Sequence, residues 1–140
     1  MAEDLIIHTD GGSRGNPGSS ACAFVAEKDG KELHKESKFL GIQTNNFAEY
    51  SAILLALRWI SSSSIIANNY SLITFCSDSE LVVKQLNGLY KIKNQNLKKL
   101  NEEIKKIILE NSLRIVFRNV PREGNIIADA LVNEELDKIE

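Results

Sequence analysis

At 140 residues, 43% of them apolar and 26% charged, the chain fits one domain, 1–140, whose core needs neither a metal nor a disulfide to fold. A formal net charge of −2 argues against a tight, non-specific binder of polyanions, which carries a basic footprint. It leaves room for an enzyme that grips a few phosphates and neutralises its own acids with divalent ions.

Leu5-Ile6-Ile7-His8-Thr9 is apolar and β-branched and predicts a buried strand. Asp10 follows it, then Gly11-Gly12-Ser13, which reads as a glycine turn. A carboxylate where a core strand meets a turn is held rigidly yet faces an opening, as a metal ligand or catalytic acid does. Arg14 to Ser20 is rich in turn formers. Ala21 to Ala26 and Lys31 to Leu40 predict two more strands, joined at Asp29-Gly30 as an antiparallel hairpin, the second ending at Gly41. Phe47 to Ile60 is the strongest helical stretch, capped by Asn45 or Asn46, with Glu49 in its first turns. Ser61 to Ser64 and Asn68-Asn69 belong to a connection.

Ser71 to Cys76 predicts a fourth strand, and Asp78 follows it as Asp10 follows the first. Glu80 to Leu86 is a short helix. Asn96 to Leu109 is an amphipathic one with Leu97, Leu100, Ile104, Ile107 and Ile108 on its apolar face. Leu113 to Val120 is a fifth strand stopped by Pro121. Ile126 to Leu136 is the last helix, with Ile127, Ala130, Leu131 and Leu136 expected inside. The order β-β-β-α-β-α-α-β-α implies an α/β fold, a mixed sheet flanked by helices.

Cys22 and Cys76 lie in apolar runs without metal-ligand spacing and read as buried free thiols, which suits a reducing compartment. Met1-Ala2-Glu3-Asp4 lacks the basic start of a signal peptide, and no run approaches transmembrane length. The expected setting is the cytoplasm, with no membrane partner, and the expected state is a monomer. His8 is expected to be a satisfied strand histidine and His34 a solvated one. Tyr50 and Trp59 read as packing residues. Lys98, Lys99, Lys105 and Lys106 read as a solvated helix face.

Asp10, Glu49, Asp78 and Asp129 form the chemical pattern. If the first and fourth strands are adjacent and parallel, Asp10 and Asp78 emerge side by side, and the two helix acids can lean over them. Clustered carboxylates repel unless cations sit among them. Hard oxygen ligands select Mg²⁺, Ca²⁺ or Mn²⁺ over zinc. Two such ions, about 3.5–4 Å apart, are the usual apparatus for phosphodiester hydrolysis. Asn16, Thr44, Asn45 and Asn46 are short polar groups beside Asp10 and Glu49. They suit 2′-hydroxyls and phosphate oxygens across a minor groove, and they equally suit turn stabilisation and helix capping.

The segments Thr9-Asp10-Gly11-Gly12-Ser13, Gly15-Asn16-Pro17-Gly18, Thr44-Asn45-Asn46-Phe47-Ala48-Glu49, Ser77-Asp78-Ser79 and Ala128-Asp129-Ala130-Leu131, in this order, resemble type 1 ribonuclease H almost end to end. The resemblance implies a five-stranded mixed sheet in order 3-2-1-4-5. It implies cleavage of the RNA strand of RNA–DNA hybrids with Mg²⁺ or Mn²⁺, leaving 5′-phosphate and 3′-hydroxyl ends. It makes Asp10, Glu49, Asp78 and Asp129 the ligands of two ions. Asn16, Asn45 and Asn46 match residues that contact RNA, and Thr44 matches part of a DNA-phosphate pocket.

The chain departs from many members in three ways. Gly88 to Asn96 is too short for a basic handle, although Lys91 and Lys93 remain, which implies weaker hybrid affinity. The loop Val120 to Asn125 has no histidine, a short form similar to the archaeal and related bacterial branch, where an arginine takes that neighbourhood. Arg122 is the candidate. Glu80 stands where many members have a glutamine. The alternatives are a broader nuclease, cutting RNA–RNA duplexes or junction ribonucleotides, and a duplex-binding module without cleavage. The mutual repulsion of four retained acids argues against the last.

Overall fold

The computed structural model describes residues 3–63 and 70–139. The readings of Met1-Ala2, and of Ser64 and Asn68-Asn69 in the connection, lie outside the described residues. The strands are β1 (Glu3–Arg14), β2 (Gly18–Lys28), β3 (Lys31–Gln43), β4 (Tyr70–Ser77) and β5 (Ile115–Asn119). The helices are α1 (Asn45–Ser62), α2 (Glu80–Leu86), α3 (Gln95–Glu110) and α4 (Ile126–Asp137), with a 3₁₀ turn at Arg122–Gly124. The sheet order is β3-β2-β1-β4-β5, as the resemblance implies. The β1–β2 and β2–β3 pairs are antiparallel, and β1–β4 and β4–β5 are parallel.

Alternation along the strands sorts side chains to two faces. Leu5 and Ile7 of β1, Phe24 and Ala26 of β2, and Ile73 and Phe75 of β4 pack with Tyr50, Ile53, Leu57 and Ile60 of α1. Burying each large apolar side chain contributes roughly 1.5–3 kcal/mol. Leu97 and Ile104 of α3 join this core as their helical spacing predicts, and Leu100, Ile107 and Ile108 pack partly buried against it. On the opposite face, Ala21 and Ala23 of β2 receive Val132 and Leu136 of α4.

Four local expectations change. Asp10-Gly11-Gly12-Ser13 is not a turn, because β1 continues to Arg14, paired with β2 throughout. β3 likewise runs past Gly41 to Gln43, through a register shift beside Ser20 that pairs Ser20 with Gly41. Gly41 has φ +77°, and such a bulge lets a strand bend without ending. The cap of α1 is Thr44 rather than Asn45 or Asn46, its Oγ1 accepting from Phe47 N at 3.2 Å. The inner face of α4 is Ala128, Val132 and Leu136, with Leu131 partly buried, whereas Ile127 is 53% exposed and Ala130 is also exposed. Apolar residues flanking Asp129 on both sides leave the helix phase ambiguous, and packing on two small alanines settles it.

Candidate metal centre

Parallel β1–β4 pairing ends at His8 opposite Cys76. Asp10 and Asp78 therefore leave the paired region at the same level, two residues beyond it on each chain. β2 still supports Asp10, which pairs with Ala23. Glu49 comes from α1, and Gly11 is what lets that helix approach. A Cβ at Gly11 would lie 2.2 Å from the Ala48 carbonyl carbon and 2.4 Å from Glu49 N. Across this contact Gly11 N donates to Glu49 Oε1 at 2.8 Å.

Ligand atoms of Asp10, Glu49 and Asp78 all lie within 4.8 Å of one another. They border a cavity of about 550 Å³ that Asp129 also lines, from the first turn of α4. Asp129 stands outside the tight group of three. Asn125 ties α4 to β1, its Nδ2 donating to Thr9 O at 2.7 Å and its carbonyl accepting from Asp129 N at 3.1 Å.

The three clustered acids hold protons more tightly than free carboxylates. Burial raises Asp10 from 3.8 to about 7, and the charges of Asp78 and Asp129 add to it. Burial also pushes Glu49 well up, with Asp10 the next cause. Asp78 is raised by burial, against the guanidinium of Arg122. Gathering ionised carboxylates in a buried place is unfavourable until cations compensate them. The all-oxygen donor set fits hard divalent ions.

The polar set divides. Asn45 lines the cavity, while Asn16, Thr44 and Asn46 lie outside its lining. Asn16 Oδ1 accepts from Asn45 N at 2.9 Å, and Asn45 Oδ1 accepts from Ser13 N at 3.1 Å. With these oxygens engaged, the amide NH₂ groups are what the two side chains offer a ligand. Arg122 lines the cavity beside Asp78. Glu80 lines it too, but pairs with Lys84 at 2.6 Å, and that bond holds its carboxyl below the usual range.

His8 Nε2 meets Glu27 Oε1 at 3.1 Å, in keeping with a satisfied strand position on that side of the ring. His34 is only partly solvated. Its ring stacks on Trp59 with centroids 4.7 Å apart and planes within 2°. Tyr50 is fully buried and its hydroxyl donates to Gln85 at 2.7 Å. Lys105 departs from a merely solvated face, its Nζ donating to Leu86 O at 2.9 Å. Both cysteines are buried free thiols, and burial pushes Cys22 up to about 12. Sequence reading missed Ser77, buried beneath Glu49, and the bridging role of Asn125. Each looked like ordinary punctuation after a strand or before a helix, and only the fold supplies the partners.

A family described as reverse transcriptase-like matches residues 8–135. A ribonuclease H from Ruthia magnifica is 33% identical, covering 96% of this chain and 97% of its own. A bifunctional protein of Mycobacterium tuberculosis is 35% identical over 135 residues, and this chain spans 35% of its length. The structure of an RNase H1 isolated from compost by a metagenomic approach superposes with a TM-score of 0.92 at 40% identity, over 98% of each chain. The same protein is known in complex with an RNA/DNA hybrid, with a TM-score of 0.91 at 40% identity, over 96% of this chain and 98% of that one. Among the described residues, no helix is long and apolar enough to cross a membrane.

Proposed function

Because the chain belongs to the type 1 ribonuclease H family, we propose that it hydrolyses the RNA strand of RNA–DNA hybrids at the acidic cavity. The observation that carries this reading is the convergence of Asp10, Glu49 and Asp78 within 4.8 Å, on a scaffold like that of a relative known with a hybrid. We assign the cations as Mg²⁺ or Mn²⁺, two per site, held by these three acids with Asp129 on the α4 side. Ions bound there would supply an activated water and a Lewis acid at the leaving 3′ oxygen.

The protein's part is placement. Asp10 is fixed within β1, Asp78 directly after the last residue of β4, and Glu49 by a helix packed through Gly11. The amides of Asn16 and Asn45 are donors suited to 2′-hydroxyl and phosphate oxygens, and Asn46 and Thr44 extend this polar edge around the start of α1. Such groups read the sugar and the shape of the duplex rather than base sequence. Glu80, neutralised by Lys84, adds little repulsion at the rim. The working unit we propose is a monomeric domain, 1–140, acting in the cytoplasm.

Four matched duplexes test the substrate class: a hybrid, RNA–RNA, DNA–DNA, and DNA with a single ribonucleotide junction, each with Mg²⁺ and with Mn²⁺. The expected result is cutting of the hybrid's RNA strand with 5′-phosphate and 3′-hydroxyl products and little sequence preference. Equal cutting of the all-DNA duplex would refute the hydroxyl-reading role. Comparable cutting of RNA–RNA would favour the broader nuclease.

Arg122 serves by charge rather than proton transfer, since a guanidinium does not give up its proton in proteins. Arg122→Ala is expected to lower kcat about tenfold, a loss near 1.4 kcal/mol. It should also move the acid limb of the pH–rate profile to higher pH, because Arg122 opposes the upward shift of Asp78. Arg122→Lys should recover part of the rate. Steady-state kinetics across pH checks both, and full activity in Arg122→Ala would remove this residue from the mechanism.

A further inference from the structure

We propose that Ser77 is a positioning residue for the metal centre, its hydroxyl clamping Glu49 so that both carboxylate oxygens stay turned to the cations. The inference rests on the metal-site reading above but not on the choice of nucleic-acid substrate.

Ser77 is the last residue of β4 and is 3% exposed. Its backbone is held from β5: Val120 N and Asn119 Nδ2 donate to Ser77 O at 2.9 and 3.1 Å. Those bonds do not involve the side chain. The hydroxyl oxygen accepts from Ser79 N at 3.1 Å. Its proton is then directed to Glu49 Oε2, at 3.3 Å. That distance is long for an O–H···O bond.

Glu49 Oε1 accepts from Gly11 N, at 2.8 Å. Each oxygen of Glu49 therefore has one protein donor, one from β1 and one from β4, the same strands that carry Asp10 and Asp78. Each keeps lone-pair capacity for a cation. A glutamate has one more rotor than an aspartate, and ordering it is entropically unfavourable unless neighbours do so beforehand. Outer partners of metal ligands typically change metal affinity 10–100-fold when removed.

Titrating the apo protein with Mn²⁺ by calorimetry, without nucleic acid, tests this. Ser77→Ala is expected to bind Mn²⁺ about 10–100-fold more weakly. Cleavage of the hybrid by this variant should recover as Mn²⁺ is raised to saturation. Ser79→Ala is the comparison. It removes the α2 cap, whose Oγ accepts from Val82 N at 3.3 Å, without touching Glu49. It should lower the melting temperature yet keep Mn²⁺ affinity within about threefold. Ser77→Ala binding within about twofold of the parent overturns the proposal, as does equal weakening in both variants, which would indicate general loosening of the β4–α2 junction. Absence of hybrid cleavage with intact Mn²⁺ binding would fault the substrate reading and leave this one standing.

Discussion

Asp10→Asn is expected to lower kcat on a hybrid at least about a thousandfold while the fold survives, since several kcal/mol of transition-state stabilisation depend on the ions that we propose this carboxylate helps hold. The same change should raise thermal stability in EDTA at pH 8. Burial and the neighbouring charges of Asp78 and Asp129 raise Asp10 from 3.8 to about 7. Between those values the folded state keeps a proton that the unfolded chain has released. The contribution of this group to stability is therefore fully present below about pH 4 and is lost as pH rises from there to about 7, by up to several kcal/mol shared with Glu49 and Asp78.

The asparagine removes that loss. Its melting temperature should exceed the parent's by about 5–10 °C at pH 8 and match it near pH 4. Adding Mg²⁺ should stabilise the parent at pH 8 and the variant much less, because binding to the folded state alone raises stability by mass action. Melts in EDTA and in Mg²⁺ across pH, beside hybrid cleavage rates, check all of this. Near-native cleavage by the variant, or a lower melting temperature in EDTA at pH 8, would overturn the placement of Asp10 in the charged cluster.

Gly11→Ala should be strongly damaging, and Gly12→Ala next to it nearly harmless. At Gly11 the new carbon would meet the backbone of Ala48 and Glu49 at 2.2–2.4 Å, where no side-chain rotation can relieve it. The helix must retreat and the 2.8 Å bond from Gly11 N to Glu49 Oε1 lengthens or breaks. Overpacking and the loss of a hydrogen bond to a carboxylate together cost about 3–5 kcal/mol. That is on the order of 10 °C or more in melting temperature. Metal affinity should fall with it, because Glu49 moves. At Gly12 a Cβ would lie 3.4 Å from Val132 Cγ1, a tolerable contact with a side chain. Thermal melts of the two variants with a Mn²⁺ titration settle the comparison. Equal stability of the pair would mean that α1 does not depend on Gly11 for its approach.

The chain carries its architecture in local pattern. Strand and helix periods, the Asp29-Gly30 hairpin and the amphipathic stretch around Leu97 and Ile104 suffice for the element order, because each reports which side of one element meets the core. The positions of Asp10 and Asp78 after apolar strands, read together with the recurring motifs, were enough to single out four acids. What local pattern lacks is distance. Whether Asp10-Gly11-Gly12 turns or stays extended depends on β2 lying beside it and on how close α1 comes, and both are contacts between segments far apart in sequence.

The sequence by itself determined the fold class, the strand order through its resemblance, and the identities of the acids, because composition and periodicity act on neighbours along the chain. Only the tertiary structure decided that three of the acids meet within 4.8 Å while Asp129 stands apart, that Thr44 rather than an asparagine caps α1, and that Ile127 faces outward. It also decided that Ser77, quoted in the sequence only as part of a motif, meets Glu49, and that Asn125 donates to the carbonyl of Thr9. The last two bonds join partners 28 and 116 residues apart, and no periodicity within one segment encodes them.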